Sequence, residues 1–122
     1  MPTQDDFTVI FETLKRILQE YEGRVVITAD TPENYSLNTQ FSKKFNKELF
    51  FAAVSIKKNY VSYHLMPVYM YPDLLAGLSA GLRKRMQGKS CFNFKSIDGE
   101  LFTELARLTR QSAERARAEN IV

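Results

Sequence analysis

Apolar and polar positions alternate most regularly over residues 49–66, LFFAAVSIKKNYVSYHLM. A turn closed at Lys58-Asn59 sets Ile56 opposite Val61, Val54 opposite Tyr63 and Ala52 opposite Leu65. One face of the resulting hairpin is then apolar throughout, and a slip of one residue would mix the two faces, so the register is strongly specified. The other face carries Phe51, Ala53, Ser55, Ser62, His64 and Met66, a mixed set that is only half polar.

The period changes on either side of the hairpin. Over residues 5–21, Phe7, Ile10, Phe11, Leu14, Ile17, Leu18 and Tyr21 recur at spacings of three and four, which predicts an amphipathic helix. Thr3 or Asp5 can cap its start, and Gly23 ends it. Arg24–Ala29 reads as a β-branched strand, the turn 30–34 follows, and Tyr35–Gln40 reads as a second strand with Tyr35, Leu37 and Thr39 on one face. The basic loop 42–47 then leads into the hairpin. Beyond Met66, Pro67 and Pro72 bracket an expected extended piece, Val68–Tyr71, and Pro72–Ala76 predicts a helical turn stopped at Gly77. Ser79 is expected to cap a short helix over Ala80–Gln87 that Gly88 terminates. Ser90–Lys95 predicts a last strand with Phe92 and Phe94 inward, and Asp98 caps a closing helix to about Glu119 whose core stripe is Leu101, Leu105 and Leu108. Arg115 is expected on the solvent side of that helix.

This order predicts a single domain over residues 1–122 of the α+β class. It has two layers, a mainly antiparallel sheet of about five strands with the N-terminal and C-terminal helices packed on one face. Composition adds bounds rather than identity. A chain of 122 residues buries about two-thirds of its unfolded surface without disulfides or metal. A net charge of +3 is too small to demand a nucleic-acid partner. The lone cysteine excludes an internal disulfide and fits a reducing compartment. The acidic opening MPTQDD is unlike a secretory n-region, and every apolar run falls far short of the roughly 20 residues a membrane span needs. A cytoplasmic protein without membrane contact is the expectation.

Motifs that resemble catalytic or nucleotide signatures do not hold up. Gly88-Lys89-Ser90 looks like the end of a phosphate-binding loop, but Arg83 stands where the pattern needs glycine, and a helix precedes where a strand should. Ser55-Ile56-Lys57-Lys58 matches S-x-x-K without the companion motifs of that chemistry. In Arg83-Lys84-Arg85, three consecutive helical residues fan around the axis at about 100° each, which makes a solvated face rather than a flat basic patch. One histidine and one cysteine cannot close a zinc site, and no cofactor is expected. Tyr60, Tyr63, Tyr69 and Tyr71 suit ligand contact or the rim of a core equally. One pair stands apart. If the last strand joins the sheet with its phenylalanines inward, Cys91 and Asn93 share a face with Ser62 and His64, and a thiol beside an imidazole can become a nucleophile. A packed, inert Cys91 among Phe92, Phe94 and the helices is the preferred expectation.

From Tyr60 onward the chain resembles the YdhG-like family of small bacterial domains of unknown function. The resemblance rests on Met66-Pro67-Val68-Tyr69, the Pro72 segment, Met86–Phe94 (MQGKSCFNF) and the closing helix after Ile97-Asp98, and it is clearest over residues 60–112. It implies a two-layer α+β domain with a curved antiparallel sheet. Some members of the wider family are described as frataxin-like iron chaperones, so iron handling is an alternative that the resemblance carries. No residue here matches an iron-binding motif, and Asp5, Asp6, Glu12, Glu20 and Glu22 are too sparse for an acidic ridge.

The expectation is a non-enzymatic binding or interaction module for a small molecule or a protein, with a small enzyme using Cys91 and His64 as the further alternative. The candidate ligand-binding residues are Phe51, Ser62, His64, Met66, Tyr69, Cys91 and Asn93. The half-apolar face with Phe51, Ala53 and Met66 also calls for a cover, either Val68–Tyr71 folding back or a second copy of the chain in a homodimer.

Overall fold

The periodic stripe of the first segment folds as expected, into helix α1 (Gln4–Gln19), which buries Phe7, Ile10, Phe11, Leu14 and Leu18. The computed structural model describes residues 4–40 and 46–119, the first three by backbone alone. Thr3 and most of the expected basic loop (42–45) lie outside the described residues. A single 3₁₀ turn, Glu22–Arg24, leads to β1 (Val25–Asp30) and β2 (Asn34–Thr39). The hairpin follows as β3 (Phe50–Ile56) and β4 (Val61–Leu65). Helix α2 (Met66–Met70), a 3₁₀ turn at Pro72–Leu75 and the one-turn helix α3 (Ala80–Arg83) come next. The two-residue strand β5 (Met86–Gln87), β6 (Cys91–Phe94) and α4 (Gly99–Ala118) complete the chain.

The architecture is α+β, an open antiparallel sheet of six strands in the order β1-β2-β3-β4-β6-β5. The hairpin register is the expected one, with Ala52 paired to Leu65, Val54 to Tyr63 and Ile56 to Val61. Tyr35, Leu37 and Thr39 lie inward and are buried, as their shared face predicts. Helix α1 lies across β3 and β4, and α4 packs against α1, α2 and α3. Between the layers, Tyr63 donates its phenol proton to Thr109 Oγ1 at 2.6 Å, and Thr109 in turn donates to the Leu105 carbonyl at 2.8 Å. This relay satisfies the hydroxyls of Tyr63 and Thr109, whereas the buried Ser112 hydroxyl has no hydrogen-bond partner among the described residues. Burial pushes the Tyr63 phenol far above its ordinary pKa.

Five expectations need correction. Phe51 is in the core, not on the outer face. The β2–β3 ladder slips between Leu37–Ala52 and Asn38–Phe50, so Phe51 is the extra residue of a bulge. The bulge turns it inward beside Ala52, edge-on to Tyr21 at 6.1 Å. Met66 does not continue β4 but opens α2. Val68–Tyr71 is not an extended strap: residues 66–70 are helical, with Val68 buried and α2 packed against α4. Pro67 sits in the first turn, where its missing N–H costs nothing. The helix capped by Ser79 stops at Arg83, and residues 86–87 pair with β6 instead, adding a sixth strand. Gly88, at φ +76°, makes the turn between β5 and β6. Finally, Arg115 is not a free solvent residue. It bonds Asp73 at 2.8 Å, lies within 3.5 Å of Glu119 and stacks on the Tyr71 ring at 4.5 Å.

Candidate functional site

The helices cover one face of the sheet, and the other face forms the candidate site. Pairing of β6 to β4 places Cys91 opposite His64 and Asn93 opposite Ser62, and β3 sets Ser55 opposite Ser62 and Ala53 opposite His64. Strand alternation sends all six outward while their neighbours Val54, Tyr63 and Phe92 fill the core. With Lys57, Tyr60 and Gln87 these residues line a shallow hollow of about 310 Å³. Its floor is small and polar, which leaves room above the sheet.

Hydrogen bonds fix much of this floor. His64 Nε2 and Ser90 Oγ share a bond of 2.8 Å. Phe50, sent outward by the bulge, meets the same imidazole edge-on with ring centres 4.8 Å apart. Burial against these groups lowers the His64 pKa, which keeps the ring neutral near neutral pH. Ser55 Oγ donates to Asn34 Oδ1 at 2.7 Å, and the Asn93 amide nitrogen donates to the Gln87 side-chain oxygen. Among the described residues, no hydrogen bond engages the Ser62 hydroxyl or the Cys91 thiol. These two groups, with the second lone pairs of their bonded neighbours, are what the floor offers to a ligand.

Of the expected site residues, Ser62, His64, Cys91 and Asn93 come together. Cys91 is half-buried on the open face, so it is not packed against the helices as expected. Phe51 lies on the opposite side of the sheet, in the core. Met66 and Tyr69 belong to α2, and Tyr69 stands 54% exposed under the Lys89 ammonium. The expected cover from Val68–Tyr71 is therefore absent from the hollow, and with Phe51 inward the apolar patch that called for a homodimer is reduced. Sequence reasoning missed Ser90, Phe50 and Gln87. Ser55 was legible from the hairpin register. Ser90 and Gln87 depend on the β5–β6 turn, for which only Gly88 gave a signal.

Among the described residues no three of His, Cys, Asp and Glu come together as metal ligands, and no helix is long and apolar enough to cross a membrane. Comparison with family models, with curated proteins and with solved structures finds no match in any of the three.

Proposed function

We propose that this chain is a non-enzymatic binding module whose ligand lies on the uncovered face of the sheet, over Ser62, His64, Cys91 and Asn93. The observation that carries the reading is a polar hollow in the middle of the sheet, built by side chains from β3, β4 and β6. Groups set on paired strands are held more precisely than groups on loops, as a preformed site requires. The imidazole supports binding over catalysis because its Nε2 is committed to Ser90, itself only 7% exposed, rather than to a nucleophile in the open. The resemblance to the YdhG-like family, which no family model matches, bears on the α+β architecture and implies little about activity.

The test is an amide chemical-shift map of isotope-labelled protein with pools of small polar metabolites. Shifts are expected to concentrate at Ser55, Ser62, His64 and Asn93. Shifts confined to α1 and α4, or turnover of a pool member that His64→Ala abolishes, overturn the reading.

The cross-strand pairing of Cys91 with His64 favours one second reading, thiol chemistry. Iodoacetamide labelling separates the two. A labelling rate that is the same in wild type and His64→Ala fits a binding floor, whereas fast labelling lost in His64→Ala puts the enzyme reading first.

A further inference from the structure

The tripeptide Arg83-Lys84-Arg85 makes no flat basic face if all three residues are helical. The structure ends α3 at Arg83, so that condition fails. Arg83 turns away and donates to the Leu75 carbonyl at 2.7 Å. Lys84 and Arg85 lie in the turn that enters β5, and the Arg85 carbonyl accepts from the Asn93 amide at 2.8 Å. This bond ties the turn to β6. With Lys95, just past the end of β6, they line a hollow of about 460 Å³ together with Tyr60, Met86, Gln87 and Asn93.

Tyr60, Gln87 and Asn93 also line the polar hollow over β3, β4 and β6, so the two hollows adjoin. Lys57 stands on the polar side of the same surface. No carboxylate lines either hollow, and among the described residues none of Lys57, Lys84, Arg85 and Lys95 has an ion-pair partner. Two cations elsewhere are matched, Lys15 by Asp30 at 2.9 Å and Arg115 by Asp73 at 2.8 Å. Among the described residues Arg16, Lys58 and Arg107 stand unpaired singly, so what sets this patch apart is that Lys84, Arg85 and Lys95 line one hollow. Like charges gathered without a counter-charge raise the local potential and attract an anion.

We infer that these two adjoining hollows together take a small phosphate monoester with a hydroxylated body. The phosphate lies on Lys84, Arg85 and Lys95, and the body lies over Ser62, His64 and Asn93. The inference rests on the reading of the open face as the binding surface. Three cations lining one hollow suit a dianion better than a single carboxylate, and an arginine fork can match two phosphate oxygens at once. The size is that of a small-molecule site, about 300–1,000 Å³. A single-stranded nucleic acid would need a series of aromatic platforms, and Tyr60 alone among the lining residues supplies one.

The experiment titrates isotope-labelled protein with ribose phosphate, ribose and inorganic phosphate, following amide shifts. Ribose phosphate is expected to move Arg85, Lys95, Asn93 and Ser62 together, inorganic phosphate only the cationic end and more weakly, and added salt weakens both. Lys84→Gln with Arg85→Gln should loosen ribose phosphate by about tenfold or more, Arg85→Lys by less, and the distant Arg110→Gln not at all. These are exposed side chains, and an unchanged amide spectrum confirms the fold. If uncharged polar molecules shift Ser62 and Asn93 but ribose phosphate leaves Arg85 and Lys95 unmoved, the anion assignment falls while the open-face reading stands. If nothing moves the open face, both fall. Tighter binding of oligothymidylate at the same residues overturns the small ligand in favour of a nucleic acid.

Discussion

Phe50 and Phe51 are chemically identical neighbours with opposite fates. The bulge opposite Leu37 and Asn38 turns Phe51 into the core at 1% exposure, where it meets Tyr21, and leaves Phe50 half-buried against the His64 ring. Phe51→Ala should therefore cost about 3–5 kcal/mol of stability, and Phe50→Ala clearly less. Urea midpoints for the two variants check this, and equal losses would show that the bulge is misplaced. Phe51→Glu, by the same reasoning, abolishes cooperative unfolding rather than splitting a dimer. The alternation within residues 49–66 carried the register from Ala52 onward because each pair there is local to one hairpin. It failed one residue earlier because a bulge is set by the partner strand, and nothing local in Phe50-Phe51 says which ring β2 will push inward. Ser62, His64, Cys91 and Asn93 were legible because alternation on two strands fixes their face once those strands are neighbours.

Elements between the hairpin and α4 were harder to read because each is only about one turn long, too short for a hydrophobic period to show itself. Two prolines suggested an extended strap over residues 68–71, yet Pro67 fits a helix start and Pro72 opens a 3₁₀ turn. The caps were legible. Ser79 accepts from the Leu82 amide at 3.2 Å and Asp98 from the Leu101 amide at 3.1 Å, because capping depends on residues within one turn. The length of α3 was not legible, since β6, just beyond the Gly88 turn, captures residues 86–87 as a strand, and two residues are too few to show a period of their own. Contacts from α4 hold this region down: Glu104 accepts both the Ser79 amide and its hydroxyl, and Arg115 joins Asp73, Glu119 and the Tyr71 ring. Arg115→Ala should loosen the segment locally. Exchange of the Tyr71 and Leu74 amides, bonded to the carbonyls of Pro67 and Tyr71, should quicken while the β3 and β4 amides keep their protection. Unchanged exchange at these two amides would mean that packing against α4 holds the segment without the arginine.

At the scale of the whole molecule, the two faces of one sheet have been given different work. Strands β2, β4 and β6, and β3 beyond its bulge, send alternate residues to the helical layer and to the open side, so stability and surface chemistry are written on interleaved positions. The strand order could not be read from the pattern, because nothing in Ser90–Lys95 names β4 as its neighbour. Once that pairing exists, it completes the core with Phe92 and Phe94 and the open floor with Cys91 and Asn93 in a single step. The edges are modest: β5 has two residues, and β1 carries an irregularity between Ile27 and Ala29, both of which discourage pairing with another chain. The division of labour predicts that the faces respond separately to substitution. Leu105, fully buried in α4 beneath the sheet, should cost about 2–5 kcal/mol when cut to alanine. Val54→Ala, buried on the same side, should also destabilise. Ser62→Ala removes a hydroxyl with no protein partner among the described residues from the open face, and should stay within about 0.5 kcal/mol. Denaturant midpoints for the three variants measure the contrast. A Ser62→Ala loss as large as that of Leu105→Ala would mean that the polar face is itself structural rather than a binding surface.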